Sequence, residues 1–143
     1  MTVLFVCTGN TCRSPMAEGL MRAELKRRGI AAACVSAGLS AVGEPAADNA
    51  VTVMSEVGCD LTRHRSRALT HEMAEAADRV VAMTDLHRDL LQTVGVPADK
   101  ITVPNGGVPD PFGGSVEVYR LTRDRLQEIV TALCDEWFGE VTA

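Results

Sequence analysis

The 143-residue sequence is 46% hydrophobic and 23% charged, and its formal net charge is −5. These proportions predict one soluble globular domain over residues 1–143, with no apolar run long enough to cross a bilayer. The negative charge argues against nucleic acid as a partner, and five cysteines without CxxC or Cys/His ligand spacing argue against a disulfide framework and a structural zinc site.

The first predicted element is a buried strand over Val3–Val6, which is apolar without alternation. A polar stretch over residues 7–14 separates this strand from a helix predicted over Pro15–Arg28. Proline suits the first helical position because its missing N–H is no loss there. Gly29 suits a left-handed cap at the other end of this helix.

The rest of the chain continues the alternation of strands and helices. The further predicted elements are a strand over Ala32–Ala37, a helix over Pro45–Val57, a strand over Arg79–Met83, a helix over Asp85–Val94, a strand over Ile101–Val103 and a last helix capped by Ser115 and ending before Gly139. The arginine-rich segment Cys59–Thr70 is predicted to be an irregular connection, and Pro104–Gly114 is predicted to be a loop.

This order of elements predicts an α/β fold in one three-layer domain. Strands that alternate with helices imply right-handed crossovers and a four-stranded parallel sheet with helices on both faces. Such sheets bind ligands beyond the carboxyl ends of their strands. The polar stretch after the first strand and the loop around Asp110 both leave that edge, so we expect them to meet over one ligand.

The stretch Cys7–Ser14 places a cysteine, five residues and an arginine between a strand and a helix. A bound phosphate can use the unpaired N–H groups of the helix N-terminus, and Arg13 adds a planar fork of donors that matches two phosphate oxygens. The same positive field favours the thiolate form of Cys7, which is therefore a candidate nucleophile at neutral pH. Ser14 can cap the helix or donate its hydroxyl to the cysteine sulfur, and Ser36 can lie near this loop.

Phosphoryl transfer also needs a proton for the leaving group. Asp110 is the candidate donor, because Pro111 biases its backbone to an extended form and Pro109 restricts the loop. In the hydrolysis of a phosphocysteine the same carboxylate would act as a base towards water. This chemistry requires no metal and no other cofactor.

The residues Val3–Glu18 (VLFVCTGNTCRSPMAE), together with Asp110-Pro111, resemble the low-molecular-weight protein tyrosine phosphatases. The resemblance implies that Cys7, Arg13 and Asp110 are catalytic. It also implies that phosphate is bound by the loop residues Thr8, Gly9, Asn10, Thr11, Cys12, Arg13 and Ser14. The family resemblance further suggests that Cys12 can form a reversible disulfide that shields Cys7 from irreversible oxidation.

Two details resemble a narrower branch, the protein arginine phosphatases. Thr11 stands where tyrosine-directed relatives usually carry a bulkier aliphatic residue, and Phe112-Gly113-Gly114-Ser115 follows Asp110-Pro111 where those relatives usually carry tyrosines. Phosphoarginine is flexible, polar and cationic, so a small polar Thr11 with acidic residues at the rim would suit it. We therefore expect phosphoarginine in proteins as the substrate, with Thr11 and Phe112 as specificity residues and phosphotyrosine as the alternative.

Two other functions stay open at this point. Arsenate reductases share this loop but relay oxidation through additional cysteines on a later segment, whereas residues 60–133 contain no cysteine here. A phosphoprotein-binding module that has lost catalysis is the other alternative, although Cys7, Arg13 and Asp110 are all present. For the phosphatase we expect a cytoplasmic monomer that acts on phosphorylated proteins, with no nucleic-acid or membrane partner.

Several polar residues outside the loop are predicted to have structural roles. We expect the Arg63–Arg67 run to be a solvated face or a set of salt bridges to the excess acids, with substrate docking as the alternative. His71 and His87 have no partner at metal-ligand spacing, and surface or capping positions are expected for both.

Overall fold

The computed structural model describes residues 1–140, which contain four strands and five α-helices. In chain order these are β1 (Thr2–Cys7), α1 (Arg13–Arg28), β2 (Ala33–Gly38), α2 (Asp48–Ser55), α3 (His71–Ala76), β3 (Arg79–Ala82), α4 (Asp85–Thr93), β4 (Ile101–Thr102) and α5 (Val116–Phe138). The domain predicted over residues 1–143 includes residues 141–143, which lie outside the described range, and its being a single domain stays a prediction.

The four strands form one parallel sheet in the order β2-β1-β3-β4. β1 is central, because it pairs with β2 along its whole length and with β3 over Val3–Val6. Those four residues are fully buried, which explains why the run is apolar without alternation. The chain leaves β1 to one side towards β2 and later reaches β3 on the other side. Parallel sheets bind ligands at such a switch point.

Helices cover both faces of the sheet. Val3 and Phe5 pack into a core with α1, α2 and α5 on one face, and Leu4 and Val6 pack into a second core with α3 and α4 on the other face. The prediction of an α/β fold is therefore confirmed, including the four-stranded parallel sheet, the helices on both faces and the loop after the first strand.

The first helix begins two residues earlier than the sequence predicts. Cys12 is the N-cap of α1 and the helix starts at Arg13, so Pro15 occupies the third helical position rather than the first. An N–H group is still unneeded there, because the first N–H groups of a helix have no intrahelical partner. At the other end Gly29 has a φ of 70°, the predicted left-handed cap. Ser14 lies inside the helix, so its hydroxyl is free for another role.

The helix predicted over Pro45–Val57 is shorter in the structure, where α2 begins only at Asp48. Pro45 pairs with Arg65 in an isolated antiparallel bridge, and this pairing keeps the segment before α2 extended. α3 lies outside the predicted elements, and the side chain of Thr70 caps it by accepting a backbone N–H from its first turn. Among residues 1–140 no helix combines the length and the apolar character needed to cross a bilayer.

Candidate active site

A pocket of about 260 Å³ opens at the carboxyl end of β1. The loop after β1 forms its floor and wall, and segments from elsewhere in the chain form its rim. Its lining residues are Cys7, Thr8, Gly9, Thr11, Cys12, Arg13, Ser40, Glu44, Asp110 and Phe112. Two loops far apart in sequence therefore meet over one cavity, as the parallel topology predicts.

Asn10 holds the loop in its curved form from inside. The residue is fully buried, and its φ of 56° lies in the left-handed region, which asparagine tolerates better than most residues. Its amide nitrogen donates to Ser14 Oγ at 2.7 Å and to Ser36 Oγ at 3.0 Å, and its Oδ1 accepts the backbone N–H of Arg67 at 3.0 Å. Its carbonyl oxygen lies 2.7 Å from His64 Nε2. One residue thus ties the loop to β2 and to the segment before α3.

β2 ends directly against this loop, and Gly38 makes that approach possible. A Cβ atom at Gly38 would lie 2.7 Å from the Thr8 carbonyl oxygen and 2.9 Å from the Asn10 backbone nitrogen. Both contacts involve backbone atoms, which cannot move aside without reshaping the loop. Any larger residue at this position would therefore displace the candidate phosphate-binding loop.

The sulfur of Cys7 lies 2.9 Å from Ser14 Oγ, and both residues are buried. Because Ser14 Oγ accepts a hydrogen from the Asn10 amide, its own hydrogen can point at the sulfur. A hydrogen bond to the charged form stabilises a thiolate, and the N-terminus of α1 adds a partial positive charge beside it. The Ser14 hydroxyl and the N-terminus of α1 are therefore both positioned to stabilise negative charge at the floor of the pocket.

Arg13 links the loop to the segment that carries Asp110. Its Nη1 donates to the Val108 carbonyl at 2.9 Å, and its Nη2 lies 3.7 Å from Asp110 Oδ2. Val108 is fixed to the end of β3 because its N–H donates to the Met83 carbonyl at 2.8 Å. Asp110 Oδ1 accepts the N–H of Phe112 at 3.0 Å, and the Asp110 side chain is 53% exposed. The carboxyl group is thus oriented at the rim and remains open to water.

His87 is a buried neighbour of the loop, so of the two expected positions, surface or capping, the surface position is wrong, whereas its contacts with the N-cap residue Thr84 agree with the capping position. Its Nε2 lies 2.8 Å from Thr8 Oγ1, and its Nδ1 lies 3.0 Å from Oγ1 of Thr84, the N-cap of α4. Burial and the nearby Arg13 guanidinium lower the pKa of His87, so the ring is neutral at pH 7. His87 lies in the first turn of α4, which follows β3, and only the pairing of β3 with β1 in the structure brings it to the loop.

Cys12 lines the pocket and also contacts the last helix. Its sulfur is 3.3 Å from the Tyr119 hydroxyl and 3.7 Å from Thr11 Oγ1. Burial raises the pKa of Cys12 and that of Tyr119, so both groups stay protonated at neutral pH. Cys12 is therefore held as a thiol.

The predicted site residues divide into two groups by position. Eight of them line the pocket, namely Cys7, Thr8, Gly9, Thr11, Cys12, Arg13, Asp110 and Phe112. Asn10 and Ser14 lie behind the loop and support it. Ser40 and Glu44 also line the pocket, although no local sequence pattern identified either residue. Their segment follows β2, the neighbour of β1, and the Ser40 N–H donates to the Thr8 carbonyl at 2.9 Å.

This arrangement suits nucleophilic displacement at phosphorus. A sulfur at the floor can attack a tetrahedral group in line, the loop N–H groups and the Arg13 guanidinium can bind its remaining oxygens, and a carboxyl group at the rim can protonate the leaving group.

The chain is similar to known proteins in sequence and in fold. A family model described as low molecular weight phosphotyrosine protein phosphatase matches residues 2–142. A protein-arginine-phosphatase of Bacillus subtilis (strain 168) is 41% identical, with 95% of this chain and 96% of that protein aligned. A structure of the YwlE arginine phosphatase, in a mutant with a phosphorylated active-site serine, has a TM-score of 0.90 at 39% identity and covers 95% of both chains. A low molecular weight protein tyrosine phosphatase from T. tengcongensis has a TM-score of 0.91 at 41% identity, covering 95% of this chain and 99% of that one.

Proposed function

The chain belongs to the low molecular weight phosphotyrosine protein phosphatase family, and we propose that it hydrolyses phosphoarginine in proteins through a phosphocysteine intermediate on Cys7. The observation that carries the proposal is the single pocket in which Cys7, Arg13 and Asp110 meet. The alignment of a protein-arginine-phosphatase over 95% of the chain supports phosphoarginine as the substrate.

In the first step the Cys7 thiolate attacks the phosphorus atom of phosphoarginine. The P–S bond forms as the P–N bond breaks, and the electron pair of the P–N bond goes to the departing guanidine nitrogen. Asp110, in its protonated form, gives its proton to that nitrogen. Arg13 and the backbone N–H groups of residues 8–13 stabilise the charge on the three transferred oxygens.

In the second step water attacks the phosphocysteine. The Asp110 carboxylate takes a proton from the water, a P–O bond forms, and the P–S bond returns its electron pair to Cys7 as a thiolate. Phosphate leaves, and Asp110 is again protonated for the next turnover. The phosphorylated active-site serine of the YwlE mutant supports a covalent phosphoenzyme in this family.

The pocket rim supports a preference for the phosphoguanidinium group. Thr11 is a small polar residue beside the nucleophile, and Phe112, which is 73% exposed, offers a ring face on which a flat cation can stack. Glu44 places a carboxylate at the same opening. A cationic side chain gains from this charge, whereas a neutral phenyl ring does not.

Phosphotyrosine is the second candidate substrate. The T. tengcongensis relative named as a tyrosine phosphatase is as similar as the arginine phosphatases, and the exposed Phe112 can also stack on a phenyl ring. An arsenate-reducing relay has less support, because among the described residues Cys12 is the one other cysteine that lines the pocket. We propose Cys12 instead as the redox partner that protects Cys7.

The protein acts on phosphorylated protein substrates, as its relatives do. We further propose that it works as a monomer in the cytoplasm, without a nucleic-acid or membrane partner. The net charge of −5 supports the absence of a nucleic-acid partner, because a polyanion would be repelled by most of the surface.

The proposal is tested by measuring hydrolysis of matched phosphoarginine and phosphotyrosine peptides side by side. We expect a higher kcat/KM for phosphoarginine, and we expect Cys7→Ser to abolish turnover of both peptides. Cys59→Ser is the control, since it changes a partly exposed cysteine outside the pocket. Turnover that survives in Cys7→Ser would contradict the covalent route. A clear preference for phosphotyrosine would contradict the proposal that phosphoarginine is the substrate.

A further inference from the structure

Three arginines, Arg63, Arg65 and Arg67, differ from the other nine in their surroundings. Eight of the others pair with carboxylates, namely Arg13, Arg22, Arg27, Arg28, Arg88, Arg120, Arg123 and Arg125. The ninth, Arg79, has its guanidinium 5.2 Å from the centre of the Trp137 ring. Within residues 1–140 the three remaining arginines make no ion pair and are exposed. Of the two structural roles expected for this run, the described chain therefore shows a solvated face and not a set of salt bridges.

These arginines line a groove of about 480 Å³ between α1 and residues 58–67. Lys26 of α1 lines the opposite wall and is likewise without an ion pair in the part of the chain described. Asp60, the one exposed acid of the groove, has its pKa lowered by hydrogen bonds from Thr62 and by the nearby charge of Arg63, with which it forms no ion pair in the described chain. We call the surface formed by Lys26, Arg63, Arg65 and Arg67 the basic groove.

The groove also contains an acceptor without a donor. Glu18 lines the wall and is only 8% exposed; its Oε2 pairs with Arg22 at 3.0 Å, whereas its Oε1 has no hydrogen-bond partner in the described chain. A buried polar atom of this kind is costly unless a ligand or water satisfies it. A ligand that fits the groove thus carries negative charges for the arginines and also N–H donors.

The basic groove is joined to the active-site rim by paired backbone. Arg65 faces Pro45 in the antiparallel bridge, and the next residue, Ser66, exchanges hydrogen bonds with Glu44, which lines the active-site pocket. The Ser66 N–H donates to the Glu44 carbonyl at 2.7 Å, and the Glu44 N–H donates to Ser66 Oγ at 2.8 Å. Neighbouring paired segments lie only about 5 Å apart. A polypeptide held in the pocket can therefore cross this bridge into the groove within a few residues.

We propose that the basic groove binds an acidic segment of the phosphorylated protein substrate, next to the residue held in the pocket. The inference rests on the proposed function and extends it from the phosphorylated side chain to the sequence around it. Glutamate and aspartate side chains meet the four unpaired cations, and the backbone N–H groups of the same segment supply donors for the groove wall. Inorganic or condensed phosphate would satisfy only the first requirement.

The charge distribution favours a short acidic segment over a nucleic acid. The groove brings four cations without ion pairs together in a chain of net charge −5, and electrostatic attraction fades over about 8 Å at physiological salt. A nucleic acid would extend beyond the groove and meet the negative remainder of the surface. A few acidic residues of a protein substrate occupy the groove alone.

The test compares the parent with the charge-reversed variant Lys26→Glu/Arg63→Glu. Two phosphoarginine peptides differ only in their flanks, which contain glutamates in one and glutamines in the other. We expect the parent to prefer the glutamate peptide, and we expect the variant to lose roughly tenfold in kcat/KM for that peptide through a higher KM. Turnover of a small aryl phosphate should be unchanged, because neither residue lines the active-site pocket.

The matched control is Lys100→Glu/Arg125→Glu, which makes the same change in net charge outside the groove. An equal loss in this control, or no preference for acidic flanks in the parent, would overturn the inference while leaving the phosphatase proposal intact. Failure of the parent to hydrolyse either peptide would instead contradict the proposed function. Stronger inhibition by a single-stranded oligonucleotide than by an unphosphorylated acidic peptide would assign the groove to nucleic acid and overturn the inference.

Discussion

Replacing Asn10 by alanine tests how much the hydrogen bonds of this side chain stabilise the phosphate-binding loop. The Asn10 side chain makes three hydrogen bonds, to Ser14, to Ser36 and from the Arg67 N–H, all in a fully buried position. Each such bond contributes about 1 kcal/mol to stability, and an alanine held at a left-handed φ costs about 1 kcal/mol more. We therefore expect Asn10→Ala to lower the free energy of unfolding by about 4 kcal/mol.

Asn10→Gly is the matched control, because glycine adopts a φ of 56° without steric cost. This variant loses the same hydrogen bonds but avoids the strain, so we expect it to lose about 3 kcal/mol. Both variants remove the group that donates to Ser14 Oγ. The Ser14 hydroxyl is then free to turn away from Cys7, and kcat should fall even where the protein remains folded.

Urea unfolding followed by the fluorescence of Trp137, the one tryptophan of the chain, measures the stability change. Steady-state kinetics on a small aryl phosphate, under conditions where each variant is folded, measure the change in kcat. The reasoning is refuted if Asn10→Gly unfolds within about 0.5 kcal/mol of the parent, since that is the range of a surface substitution.

Substitutions at Asp110, Thr11 and Glu56 test three further predictions. Asp110→Asn should lower kcat about 10²- to 10⁴-fold in peptide assays, while inhibition by inorganic phosphate persists because the loop is intact. Thr11→Ile should shift the ratio of kcat/KM values towards phosphotyrosine, and an unchanged ratio would remove Thr11 from the account of specificity. Hydrogen bonds from Arg120 lower the pKa of Glu56 to about 2 from 4.5, so the ionised carboxylate stabilises the fold above pH 4.5 and loses this contribution as the pH falls towards 2. Urea midpoints of the parent and Glu56→Gln should therefore differ at pH 7 and converge in acid, and a constant difference would contradict the pairing.

Features set by neighbouring residues could be predicted from the sequence. The buried run Val3–Val6, the left-handed cap at Gly29 and the N-cap Ser115 depend on periodicity and on single-residue backbone preferences, and all three occur in the structure. The candidate nucleophile ends β1 and Arg13 begins α1, with five residues between them, so their proximity is also local. Asp110 could be predicted to join them because parallel strands end at the same edge of a sheet.

Only the tertiary structure decided which distant side chains support and surround that loop. The contact of Thr8 with His87 joins residues 79 positions apart, and that of Cys12 with Tyr119 joins residues 107 positions apart. The pairing of Pro45 with Arg65, which delays α2 and connects the basic groove to the pocket rim, is equally invisible in local patterns. Periodicity reports whether a residue is buried, because burial depends on the face of its own helix or strand. It does not report the partner of a polar atom, because that partner is fixed by how separate elements pack.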